Sequence, residues 1–259
     1  MENIREEKIQ NAEEIAESAE TFSFENFDPK KKYPDEYYEK FIAEFQPNTK
    51  SRWFYRFVKR AFDFLVSLVA LIVLSPVMLI IAIAIKIDSR GKIIFKQKRM
   101  GRNGKPFNCY KFRSMRTDTP PNCATSILEN PEQYQTRVGR ILRKLSLDEL
   151  PQLFCCLIGT MSIIGYRPLV LTEENCNDMR ERLGVFKARP GISGYAQVRG
   201  RDDVYYKNKA ILDAEYVKKA NLWFDLKLMF LTVWVVIKRE GNASEAGKKP
   251  KKAKKKQKK

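Results

Sequence analysis

Histidine is missing from this 259-residue chain. Its absence removes imidazole bases, Ser-His-Asp triads and His-ligated zinc, so any chemistry must use carboxylates, Lys, Arg, Tyr, Ser or Cys. Cysteine is scarce: Cys109, Cys123, Cys155, Cys156 and Cys176 form an odd set with no C-x-x-C pair. That pattern argues against a disulfide framework and a zinc ribbon, and suits a reducing cytosol. Negative charge is also short, with 31 Asp and Glu against 49 Lys and Arg, a net charge of +18. Nine lysines and no acid fill Lys248 to Lys259, while the first 29 residues run net −7 and residues 30–247 keep +16. Such an excess asks for an anionic partner, and nucleic acid, an anionic membrane surface and a phosphorylated substrate all qualify.

Against this charged background, Phe64 to Ile85 contains no charge at all. As a straight helix it would be roughly 33 Å long, about the thickness of a hydrocarbon core. It starts too far into the chain, and lacks the small-residue cleavage site, for a signal peptide. Pro76 near its middle deletes a backbone donor and clashes with the preceding turn, while Ser75 can satisfy a freed carbonyl. Arg52, Arg56, Lys59 and Arg60 precede the run, and Lys86, Arg90, Lys92, Lys96, Lys98 and Arg99 follow it, so both flanks favour the cytoplasmic side. A re-entrant helix-break-helix satisfies both flanks; a kinked span or a buried core helix is the plainer alternative. A second contact is suggested by Leu222 to Ile237, where Trp223, Phe224, Leu226, Met229, Phe230, Val233, Trp234 and Ile237 recur at helical spacing. It suits either a helix lying at the membrane interface or an amphipathic helix packed on the protein's own core.

Four regions follow: a polar extension over 1–50 with a helix-prone stretch near Ile9 to Ala19, an apolar candidate membrane helix over 51–90, a mixed domain over 91–240, and a lysine-rich tail over 241–259 expected to be disordered. The tail suits electrostatic adhesion to lipid or simple solubility. Lys92 to Lys98 and Phe107 to Phe112 are expected to form a hairpin around Gly101-Arg102-Asn103-Gly104, its glycines supplying positive φ. From Val138 onward the pattern is mostly helical, interrupted at Gly165 to Pro168 and Arg189 to Gly194. The fold class is therefore α+β, mainly helical, with a small β-hairpin.

Ser146-Leu147-Asp148-Glu149 precedes Leu150-Pro151-Gln152 and matches a capping box, with Ser146 and Glu149 bonding reciprocally and Asp148 in the first turn. Asp148 as the cap would seat Pro151 more comfortably in the opening turn. Catalysis offers another use for two adjacent acids. A carboxylate can attack phosphorus to give a mixed anhydride, provided cations offset the repulsion between nucleophile and diphosphate. Mg²⁺ on a neighbouring carboxylate and arginines in rigid Gly/Pro turns would do so, and Arg167, Arg189, Arg199 and Arg201 are the candidates.

An ordered set of motifs carries a resemblance over about Lys59 to Arg239. Lys59-Arg60-x-x-Asp63, Ser75-Pro76, Lys111-Phe112-Arg113-Ser114-Met115, Leu145 to Leu153, Met161 to Pro168 and Arg189 to Arg201 together resemble the bacterial sugar transferases, the small monotopic phosphoglycosyl transferases. The resemblance implies a re-entrant helix kinked at Ser75-Pro76, a catalytic domain on the cytoplasmic face of the bacterial inner membrane, and interfacial amphipathic helices. It implies a two-step transfer in which Asp148 attacks the β-phosphate of a UDP-sugar, releasing UMP. Polyprenol phosphate then accepts the phospho-sugar. Glu149 would bind Mg²⁺ or assist the acceptor, while Arg167, Arg201, Arg189, Lys111 and Arg113 fall where phosphate is held. Asp213 and Asp225 match acids before and within the last amphipathic helix. Expected partners are UDP-sugar, polyprenol phosphate, membrane lipid and the downstream glycosyltransferases the product would feed, and no nucleic acid. Tyr166 departs from the resemblance, standing where proline is usual, a change that could relax the turn or alter sugar choice. A different class, a membrane-attached basic scaffold or nucleic-acid-binding protein with Asp148-Glu149 as a mere helix cap, is the alternative.

Overall fold

The computed structural model describes residues 27–48, 52–119, 131–200 and 204–238. Arg201, Cys123, Arg239, the stretch Ile9 to Ala19 and the lysine tail lie outside them. Helix α1 (Asp35–Glu44) starts after Pro34, with Asp35 and Glu36 in its first turn where the helix dipole favours acids. Its inner face buries Tyr38 and Phe41, which join Phe27 in the main core alongside Leu183, Phe186, Ile211 and Leu212. Residues 27–45 thus form a strap on the domain, where the polar composition had suggested an appendage. The tyrosines mislead because their rings bury while Tyr38 Oη keeps a partner, donating to Asn208 Oδ1 at 2.9 Å.

Helix α2 (Trp53–Asp88) runs uninterrupted for 36 residues, about 54 Å if straight. The expected division at Ser75-Pro76 into two helices is absent, for a local reason. Pro76 cannot donate to the Ile72 carbonyl four residues back, and Ser75 Oγ does so instead at 2.8 Å. Most of the apolar surface of α2 remains exposed. Its two ends, however, are tied to the same domain. Near the start, Arg52 donates to the Val217, Lys218 and Ala220 carbonyls, and Arg60 to those of Cys156 and Leu157. At the other end Asp88 accepts from the Val138 N–H, and Ile81 and Ile85 pack with Phe112 and Leu142.

Strands β1 (Ile94–Met100) and β2 (Pro106–Phe112) pair antiparallel, Ile94 opposite Phe112 and Met100 opposite Pro106. The hairpin is as expected, but positive φ falls on Asn103 and Gly104, not Gly101. Gly101 answers to space: a Cβ there would sit 2.8 Å from the Lys105 carbonyl oxygen and the Phe107 ring. Helix α3 (Arg137–Lys144) is capped by Thr136, whose Oγ1 accepts from the Gly139 N–H. Helix α4 (Gln152–Ile158) ends on Gly159 at φ 86°.

Next, β3 (Ser162–Ile164) pairs in parallel with β4 (Gly191–Ser193) across α5 (Glu174–Arg182). This second sheet was not foreseen. Its strands are three residues long, too short for alternation to register, and glycine here serves close approach. A Cβ on Gly165, Gly191 or Gly194 would strike the facing backbone. The chain closes with α6 (Tyr195–Gly200), α7 (Tyr206–Lys219) and α8 (Leu222–Lys238). Helix α8 is two-faced: Leu228 and Asp225 are buried, whereas Trp223, Phe230 and Trp234 are exposed. Its inner face packs on the core, and its outer face keeps the tryptophans in a position suited to headgroup depth. The mainly helical α+β class holds.

Candidate active site

The carboxylate pair sits in a turn, not in a capping box. Ser146 adopts the left-handed region at φ 57° and makes no side-chain cap; Leu147–Glu149 then form one 3-10 turn, and α4 begins only at Gln152. Pro151 stands as the flanking residue of α4, where its missing N–H leaves no helical bond unmade. Leu147 and Leu150, on either side of the pair, pack against the cluster of Ile81, Ile85, Phe112 and Leu142. The inner end of the apolar helix therefore sets the position of the acids.

Glu149 is clamped by two cations from different elements. Lys111 Nζ on β2 donates to Oε1 at 2.5 Å, and Arg167, beyond β3, reaches Oε1 at 2.9 Å and Oε2 at 3.5 Å. Burial alone would raise the Glu149 carboxyl, but the Arg167 and Lys111 charges and hydrogen bonds outweigh it and hold the group well below the usual carboxylate range. Asp148 differs. It is buried, and among the described residues no hydrogen bond holds its carboxylate. Burial pushes its pKa up; Lys111 pulls it back, and the Glu149 charge adds to the rise. One acid of the pair is thus fixed and ionised, and its neighbour is left uncommitted. Arg167 is the more open of the two cations, its side chain 34% exposed against 17% for Lys111.

The other candidates are placed elsewhere. Arg113 turns away from the carboxylates and donates to the Ser89 and Arg90 carbonyls and to Ser89 Oγ, closing the C-terminal end of α2. Arg189 donates from Nε to the Gly159 carbonyl at 3.0 Å and is not brought onto the pair. Asp225 accepts from Tyr55, Lys59 and Tyr216, pinning α8 to the start of α2. Asp213 forms a fully buried ion pair with Arg180; burial raises its carboxyl to about 6 although Arg180 opposes the shift. Sequence reasoning missed two residues that frame Arg167. Arg180 donates to the Arg167 carbonyl at 2.9 Å, and Arg99 to that of Pro168 at 2.6 Å. Arg180 lies in Glu-Asn-Cys-Asn-Asp-Met-Arg-Glu-Arg, a stretch whose composition suggests a solvated helix, so no signal marked it.

The bacterial sugar transferase family matches residues 54–239, a span that runs from the second residue of α2 past the end of α8. The chain belongs to that family. Among its relatives, the undecaprenyl-phosphate glucose phosphotransferase of Komagataeibacter xylinus is 42% identical over 187 residues, 68% of this chain and 35% of that protein. The UDP-glucose:undecaprenyl-phosphate glucose-1-phosphate transferase of Escherichia coli K12 is 40% identical over 186 residues, covering 69% of this chain and 40% of the relative. The exopolysaccharide production protein ExoY of Rhizobium meliloti is 36% identical over 200 residues, 71% of this chain and 87% of that one. This family member therefore spans well under half of the first two relatives and most of the third. Strap α1 falls before the matched region, so the family's unit is braced here by a segment outside it.

Proposed function

We propose that this chain transfers a phospho-sugar from a UDP-sugar to polyprenol phosphate, with Asp148 as the nucleophile. The observation that carries the reading is the contrast within the pair: Glu149 locked by Lys111 and Arg167, Asp148 uncommitted beside it. In the first step an Asp148 carboxylate oxygen forms a bond to the β-phosphorus. The bond from that phosphorus to the bridging oxygen breaks, and UMP leaves with the electron pair. The product is a mixed anhydride between Asp148 and the phospho-sugar. In the second, a phosphate oxygen of polyprenol phosphate attacks the same phosphorus, and Asp148 leaves as carboxylate. Arg167 orients the diphosphate and offsets its charge, and Lys111 keeps Glu149 ionised.

Mg²⁺ suits the donor set. Glu149 Oε2, whose contact with Arg167 is the long one at 3.5 Å, is a hard oxygen ligand. Among the described residues no third acid or thiol joins the pair, so its remaining ligands would come from diphosphate and water. Bound there, the ion would neutralise charge on the transferring phosphate.

We further infer a monotopic, cytoplasm-facing placement at the inner membrane. Both ends of α2 are tied to one domain, while residues around Ser75-Pro76 are exposed. A bend at Pro76 within the continuous helix would let its apolar middle dip into lipid with both basic flanks on one side, satisfying these ties and the charge distribution together. The reading as a scaffold with a mere helix cap loses its support, since Ser146 caps nothing. The test is UMP release from purified full-length protein given Mg²⁺, undecaprenyl phosphate and a UDP-sugar panel, with mass spectrometry of donor-treated protein. A phospho-sugar adduct on Asp148 is expected; turnover with no adduct there would remove the nucleophile.

A further inference from the structure

Behind Arg167 lies a buried ion pair that the reaction above does not use. Arg180 on α5 and Asp213 on α7 have no exposed surface, and Arg180 Nη2 donates to Asp213 Oδ2 at 2.5 Å. A buried pair seldom adds stability over apolar side chains of the same volume, so stability alone is a poor account of it. The rest of the guanidinium points to a use. Its Nη1 donates to the Arg167 main-chain carbonyl at 2.9 Å, and its Cζ lies 5.4 Å from the centre of the Tyr166 ring. Tyr166 is itself fully buried and packs edge-on against Phe186. One side chain thus restrains two successive residues, the second of which sends its own guanidinium to Glu149.

We propose that Arg180, oriented by Asp213 and by the Tyr166 ring, is the positioning residue that aims Arg167 at the substrate's phosphates. The inference rests on the reading of Arg167 as a phosphate clamp. The identity of residue 166 gives it a basis particular to this chain. A proline there would fix φ through its ring, whereas tyrosine leaves φ free. The Arg180 hydrogen bond and cation–π contact supply the missing restraint from outside the turn. Arg99, half-buried, holds the next carbonyl, that of Pro168, so two arginines grip successive carbonyls of the turn.

The test is a mutant cycle on the full chain. Its readouts are UMP release, with whichever of UDP-glucose, UDP-galactose or UDP-N-acetyl sugars turns over fastest, and the thermal unfolding midpoint. The double variant Arg180→Met with Asp213→Leu removes both buried charges together, and is expected to keep the midpoint within a few degrees. It should raise the donor KM about ten-fold, a small displacement of a clamping group being enough for that. In an Arg167→Met background the same double change should add less than about two-fold, since it acts through Arg167. A double variant that folds and keeps the wild-type donor KM would overturn the proposal. So would a full additional loss on top of Arg167→Met, which would place the action of Arg180 elsewhere. If Arg167→Met alone is fully active, the clamp itself falls and the inference falls with it; if only that variant is impaired, the clamp stands and the positioning role is rejected. Should the double variant fail to fold, Arg180→Lys keeps a cation for Asp213 but cannot also reach the Arg167 carbonyl, and the same cycle run with it decides.

Discussion

Asp148 and Asp225 are both buried aspartates in this domain, and their surroundings are opposite. Asp225 is saturated: Tyr216 donates to one oxygen at 2.8 Å, and Tyr55 and Lys59 to the other at 2.7 and 2.8 Å. Asp63 is treated the same way, taking Ser162 Oγ on one oxygen and the Ile163 N–H on the other. Both acids join the first turns of α2 to the domain that follows it. Among the described residues Asp148 has no such partner, and Lys111 and Arg167 beside it are bound to Glu149 instead. A structural acid is one whose lone pairs are filled by the fold. The acid proposed as nucleophile is one the fold desolvates and leaves unfilled, an arrangement that the neighbouring charges make tolerable.

The contrast predicts a crossed pattern of effects. Asp148→Asn should abolish turnover by about 10⁴-fold or more while leaving the unfolding midpoint nearly unchanged, measured by UMP release and thermal unfolding on one preparation. Comparable activity in that variant would break the comparison at its centre. Glu149→Gln should cost about 10²- to 10³-fold, because it releases the clamp and removes the carboxylate proposed for the metal. It should also move the pH profile. Asp148 must be ionised to attack and its pKa is raised, so kcat climbs with pH along an acid limb displaced above the ordinary aspartate range. Removing the Glu149 charge relieves part of that rise, and the limb should shift to lower pH; a shift to higher pH would refute the electrostatic account.

Asp225→Asn should do the reverse of Asp148→Asn. It leaves one of its three donors facing an amide N–H, destabilising the fold by on the order of 2 kcal/mol, with kcat per folded molecule unchanged. Loss of kcat without loss of stability would mean that Asp225 belongs to the site. Ser75→Ala is the smallest. It strips the Ile72 carbonyl of its substitute donor and should cost about 1 kcal/mol, read as a lower unfolding midpoint in bilayer nanodiscs.

The parts legible from sequence were those carried by local pattern. The charge-free run of α2, the hairpin and the alternation of faces on α8 followed from composition and periodicity. Arg167 emerged from its rigid Gly/Pro turn and Lys111 from the family resemblance, and the structure brings both to Glu149. Arg113 lies in the same motif as Lys111, yet it caps α2, because nothing in a local pattern tells which way a side chain on a strand end will turn. The capping box failed for a similar reason. Ser146, Glu149 and their spacing fit it, but Pro151 delays the helix, and Ser146 takes the left-handed region at the end of α3. The β3–β4 pair escaped notice because it depends on glycines meeting across α5, a contact between segments nearly thirty residues apart.

By itself the sequence determined which chemistry was open: no imidazole, a pair of adjacent acids, an excess of basic residues and a long apolar helix with basic flanks. Those are properties of residue type and spacing, and folding does not change them. Only tertiary structure decided that Glu149 would be tied and Asp148 left unbound. Only there, too, did arginines as far apart in sequence as Arg99 and Arg180 come to grip the same turn. The physical reason is that burial and partner choice are set by which distant segments meet, and those set a carboxylate's charge state and freedom to react.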